Sequence, residues 1–94
     1  MERRLAYRFL ADKAVNCRVP ATPAIAQLVD ISTGGCRIQV QSSLVVPGGT
    51  ILLELVEGFH AIGKVLWRNG KEAGISFSQT LHQSIIDHVR TADC

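Results

Sequence analysis

Aromatic residues are scarce in this chain: three Phe, one Tyr and one Trp among 94 residues. A small barrel that grips single-stranded nucleic acid needs aromatic platforms on exposed strand faces. The few present here fall mostly at core-like positions, which argues against that class. Cysteine is limited to Cys17, Cys36 and Cys94. The number is odd and no pair has CxxC spacing, so neither a disulfide framework nor a zinc site is expected. Reduced thiols in a cytoplasmic protein are the expectation. Long hydrophobic runs are absent. Stretches such as Ile51 to Leu53 are far too short to span a bilayer, so no membrane insertion is expected. Arg3 and Arg4 are followed by no apolar run beyond Phe9 and Leu10, so a secretory signal is not expected. Strong charge is also missing. A net charge of +2 and a pI near 8.6 fall short of the basic stripe that DNA binding calls for. Catalytic constellations are missing too. His60 lies in a strand pattern, His82 and His88 are six apart and do not share a helix face, and no Cys–His motif is present. Neither enzyme activity nor a metal or cofactor is therefore expected.

What is present is apolar residues in abundance, 47% of the chain, enough for one domain with its own core. They recur mostly at strand period. Residues 13–19 alternate weakly, and residues 24–29 form a second apolar run ending at Asp30. In residues 36–41, Cys36, Ile38 and Val40 face one way and Arg37, Gln39 and Gln41 the other. Residues 50–56 are β-branched and Leu-rich. In residues 59–68, Phe59, Ala61, Gly63, Val65 and Trp67 share a face, which makes Trp67 a core or barrel-mouth residue. Asn69-Gly70 is a hairpin signal and leads to a strand over 72–78. Turn formers cluster at Asp30–Gly35, Pro47-Gly48-Gly49 and Glu57-Gly58. The period then changes to helical over 80–91, with Leu81, Ile85, Ile86 and Val89 on one face and Thr80 and Gln83 as a capping box. Six short antiparallel strands favour a closed or nearly closed barrel, because closure removes exposed edges.

Two short motifs carry chemistry. Arg4-Leu5-Ala6-Tyr7-Arg8 has RxxxR spacing, and Asp30-Ile31-Ser32-Thr33-Gly34-Gly35 has DxSxxG spacing. Positive charge is concentrated around the first, in Arg3, Arg4 and Arg8. An arginine presents a planar fork that pairs bidentately with guanine O6 and N7 or with phosphate. An ionised aspartate accepts the N1–H and N2–H₂ donors of guanine. Ser32 can donate to a phosphate oxygen, and Gly34 and Gly35 allow close backbone approach with N–H groups presented to an anion. Taken singly, each motif has a plainer reading. Asp30 and Ser32 can cap their own turn, Arg4 and Arg8 can be solvated terminal charges, and Arg68 can be a solvated strand-end arginine.

Together and in this order, the motifs resemble the PilZ domain family. Gly63-Lys64-Val65-Leu66-Trp67-Arg68 followed by Ala73-Gly74-Ile75-Ser76-Phe77 is similar to the last hairpin of those domains. The resemblance implies a six-stranded antiparallel β-barrel of split-barrel type with a C-terminal helix. Residues 1–10 would be a flexible arginine-bearing segment, residues 13–78 the barrel and residues 80–91 the helix. It implies a bacterial receptor for cyclic di-GMP that uses Arg4, Arg8, Asp30, Ser32, Gly34 and Gly35, with Arg68 as a further contact. The N-terminal segment would order on binding and signal to a partner protein in motility, exopolysaccharide or biofilm regulation. Arg3, one position before Arg4, suggests up to two ligand molecules per domain. A PilZ-fold adaptor without ligand stays open as the alternative.

Overall fold

The computed structural model describes residues 9–91. Six strands and one helix follow in order: β1 (Phe9–Arg18), β2 (Pro23–Ile31), β3 (Gly35–Val40), β4 (Thr50–Val56), β5 (Phe59–Asn69), β6 (Glu72–Phe77) and α1 (Gln83–Thr91). The strands close into an antiparallel barrel in the order β1-β2-β3-β6-β5-β4. Alternation explains the closure. One face of each strand turns inward and supplies the core, including Val15, Leu28, Ile38, Ile51, Leu53, Val65 and Ile75, each at most 4% exposed. The expected six-stranded barrel with a C-terminal helix is therefore the architecture found.

The two mouths of the barrel are closed differently. At one, the β2–β3 turn, the end of β6 and the start of β5 lie together, as the pairing Gly35↔Ser76 and Gly63↔Phe77 requires. There Leu81, just ahead of α1, and Ile86 and Val89 of the helix are buried in the core. The helix packs against β1 and β4. Those strands pair with each other only over Asn16–Arg18 and Leu52–Glu54, so the helix covers a seam that hydrogen bonding leaves open. At the other mouth, the segment 41–49 folds over the barrel and buries Val45 completely. Gly48 N–H donates to the Val65 carbonyl at 2.8 Å, and Val65 N–H returns a bond to the Gly49 carbonyl at 2.9 Å.

Three local expectations are corrected. β1 begins at Phe9, so Phe9 and Leu10 belong to the barrel and not to the preceding segment. A register shift between Leu10 and Lys13, with Asp12 at φ +49°, breaks the alternation there. Trp67 does not share the inward face of Val65. A register shift between Val65 and Trp67 turns the indole to the outside. The helix is capped by His82 and not by Thr80: His82 Nδ1 accepts from Ser84 N–H at 3.1 Å, while Gln83 bonds forward to Asp87. A short acceptor just before the first turn satisfies an otherwise orphaned helix donor.

Candidate ligand-binding site

Cross-strand pairing assembles the site from residues far apart in sequence. Leu10 stands opposite Asp30, Asp30 opposite Arg37, Arg37 opposite Gly74, and Gly74 opposite Trp67. These five positions form one outward row across β1, β2, β3, β6 and β5. The row below it, Phe9, Ile31, Cys36, Ile75 and Val65, faces the core. Gly74 is required by the row. A Cβ there would fall inside the Trp67 indole, so the missing side chain lets the ring lie against the sheet. An open pocket of about 260 Å³ results, lined by Asp30, Cys36, Arg37, Leu66, Trp67 and Gly74. Exposed apolar groups flank it: Leu10 is 82% exposed on one side, Leu66 and Trp67 60% and 40% on the other.

Asp30 is the buried charge of the row, its side chain 7% exposed. Arg37 Nη2 reaches its Oδ2 at 2.9 Å. Burying a carboxylate without a partner is costly, and Arg37 is a partner. Arg37 was read from the sequence only as a residue on the outer face of its strand. Its alternation was visible, but its partner across the β2–β3 pair was not. Glu72 lies near the same guanidinium, at 4.0 Å from Nη1. Arg37 Nε is buried and has no hydrogen-bond acceptor.

The DxSxxG residues divide into two groups. Ser32 is 4% exposed. Its N–H donates to the Gly35 carbonyl at 2.8 Å and its Oγ donates to the same oxygen at 3.3 Å. The plainer reading of Ser32, that it braces its own turn, describes this geometry. Asp30 instead pairs with Arg37 across the strands. Gly35 is fixed by packing: a Cβ would meet the Ile75 carbonyl. Gly34 faces open space, and only its carbonyl is engaged, by Phe77 N–H at 2.9 Å. The turn is also tied to the segment that leads into α1, because Leu81 N–H donates to the Thr33 carbonyl at 2.8 Å.

Arg68 is placed elsewhere. Its guanidinium turns toward the opposite mouth and donates to four backbone carbonyls: Gly70 at 2.7 Å, Ser42 at 2.8 Å, Val45 at 3.0 Å and Val40 at 3.0 Å. With its donors so taken, Arg68 holds the 41–49 segment in place rather than extending the pocket. Arg3, Arg4 and Arg8 lie outside the described residues. A larger open groove, about 700 Å³, crosses the outer face near Asn16, Ile25, Leu52, Glu54 and His60. It contains none of the motif residues. Glu54 there accepts from Gly58 N–H and the Asn16 amide, which hold its carboxyl below the usual range, His60 adding to the effect.

The family model of the PilZ domain matches residues 2–91, nearly the whole chain and both motifs. The chain belongs to the PilZ family. No curated protein matches it. PilZ domains are binding domains, generally receptors for cyclic di-GMP, and not enzymes. Among the described residues of this PilZ domain, no group of three or more His, Cys, Asp and Glu could hold a metal, and no helix is long and apolar enough to cross a membrane. Cys17 and Cys36 are both buried. Burial pushes the Cys17 thiol up, which disfavours the reactive thiolate.

Proposed function

We propose that this PilZ domain is a cytoplasmic receptor for cyclic di-GMP that binds across the outward row of Asp30. The supporting observation is a buried, ionisable carboxylate beside an exposed indole, opened by Gly74. Asp30 accepts the N1–H and N2–H₂ donors of one guanine. Trp67 offers that base a stacking face, as an aromatic at the edge of a charged pocket does. The Gly35 turn brings backbone toward the ligand, and Ser32 contributes by exchanging its long internal bond for a ligand oxygen. Arg4 and Arg8 supply phosphate and guanine contacts from the sequence just ahead of Phe9, the residue paired with Ile31. That pairing brings the start of β1 to the DxSxxG turn. Arg68 has no part in this reading, because its donors are committed to backbone carbonyls.

The output is a partner protein in motility, exopolysaccharide or biofilm control. Two routes lead to it: ordering of the arginine segment on the ligand, and the Thr33–Leu81 bond that links the motif turn to the segment leading into α1. The test uses Trp67, the single tryptophan of the chain. Titration with cyclic di-GMP is expected to change its fluorescence and to give saturable heat in calorimetry, with GTP and single-stranded DNA giving neither. Asp30→Ala is expected to abolish both signals. Absence of binding by the intact domain would refute this reading and favour a PilZ-fold adaptor. Saturation at two molecules per domain, falling to one in Arg3→Leu, is the result expected if Arg3 holds a second ligand.

A further inference from the structure

We infer that Arg37 is a guanine-reading residue that waits on Asp30 in the empty domain and turns onto the base when ligand arrives. The inference rests on the reading of Asp30 as the guanine acceptor and adds a residue outside both motifs. Three observations carry it. Arg37 Nη2 occupies Asp30 Oδ2, at 2.9 Å, an oxygen that guanine's N–H donors would take. Its other donors are poorly used: Nη1 is 4.0 Å from Glu72, and Nε is buried with no acceptor. Its side chain is 41% exposed, so it can turn without opening the core. Arg68 shows what a committed arginine looks like in the same domain, with four carbonyls within 3.0 Å.

The chemistry of the base completes the case. Guanine's Watson–Crick edge sets N2–H₂, N1–H and O6 side by side. A carboxylate satisfies the first two and leaves O6 needing a donor immediately beside it. An arginine bonded to that same carboxylate stands where such a donor is required. By giving up Oδ2 to the base, Arg37 exchanges one ion pair for O6 and N7, both of which a guanidinium fork meets together. The buried Nε–H, unpaired at rest, makes this exchange favourable because an unmet buried donor is penalised. Adenine offers a 6-amino donor in place of O6 and no N1–H, so it would oppose both residues. Arg37 thereby sets guanine over adenine.

The experiment compares the intact domain with Arg37→Met, using cyclic di-GMP and cyclic di-AMP as probes. Calorimetry is expected to show cyclic di-GMP weakened about tenfold to a hundredfold in the variant, with cyclic di-AMP equally poor on both. A thermal melt of the variant checks that the fold is intact. The Nε–H resonance of Arg37, assigned by its loss in Arg37→Met, is expected to shift and gain exchange protection with cyclic di-GMP and not with cyclic di-AMP. A role limited to orienting Asp30 would leave that resonance unmoved. If the intact domain binds cyclic di-GMP while the resonance stays in place, or while Arg37→Met binds as tightly or more tightly, the inference is overturned and the site reading stands. If the intact domain binds no cyclic di-GMP, both fall.

Discussion

Two strand arginines, Arg68 of β5 and Arg37 of β3, are used in opposite ways on two sides of the barrel. Arg68 donates to the carbonyls of Val40, Ser42, Val45 and Gly70 and pins the 41–49 segment. Arg37, one ion pair deep and with an unmet Nε, lies at the motif side of the sheet beside exposed Leu66 and Trp67. The same side chain is thus a staple where backbone carbonyls converge and a reader where they do not. An arginine's role is set less by its own chemistry than by how many acceptors the surrounding chain commits to it.

Removing Arg68 should break this comparison most severely. Arg68→Met leaves several carbonyls without their donor, and a loss of about 3 kcal/mol of stability is expected in urea unfolding. Ligand affinity of the folded fraction should not change. A melt equal to that of the intact domain would show that water replaces the guanidinium freely. The motif arginines should behave in the reverse manner. Arg4→Ala or Arg8→Ala is expected to weaken cyclic di-GMP roughly 30–150-fold, about 2–3 kcal/mol, with stability retained. Calorimetry and a thermal melt on each variant separate the two effects.

Adjacent glycines in the turn sharpen the contrast at smaller scale. Gly35→Ala drives a methyl into the Ile75 carbonyl and should cost about 1–3 kcal/mol. Gly34→Ala enters open space and should stay within about 0.5 kcal/mol of the parent. Denaturant midpoints measured side by side decide it. Equal losses would mean that the turn itself, and not the β6 contact, demands glycine. The smallest effect is expected at Glu54, half-buried on β4. Its folded carboxyl is held low by Gly58 N–H and the Asn16 amide, so its contribution is present above the ordinary glutamate range. It is lost as pH falls through the depressed folded value. The stability gap between the parent and Glu54→Gln should therefore narrow on acidification, and a gap that widens would contradict the hydrogen bonding.

Much of the barrel was legible because its strands alternate, and the helix because Leu81, Ile86 and Val89 recur at its period. Two of the misreadings, the start of β1 and the face of Trp67, have one physical source, local breaks in period 2. The shift at Leu10–Lys13 hid the first residues of β1, and the shift at Val65–Trp67 reversed the face of Trp67. A bulge leaves no reliable mark in composition, since one added residue changes direction without changing residue type. The DxSxxG turn that carries Asp30, Ser32 and Gly35 was legible from its spacing. Arg37 was not, because what distinguishes it is Asp30 across a strand pair and Gly74 in a third strand. Arg68 was misjudged for a similar reason: its partners lie in a segment more than twenty residues upstream.

The row that joins Leu10, Asp30, Arg37, Gly74 and Trp67 draws on five strands, and the link between Arg37 and Trp67 comes from β6, the last strand in the sequence. During synthesis, a nascent chain that has not yet emitted residue 77 has no β6 to set between β3 and β5, so Arg37 and Trp67 have nothing to hold them in line. The pocket is therefore a property of the finished barrel and of no fragment of it. A ligand that needs this row binds the folded state alone, and at a hundredfold excess over its dissociation constant it would deepen the native well by about 2.7 kcal/mol through mass action. In a bacterium where the messenger rises and falls, the lifetime of such a domain against proteolysis would rise and fall with it.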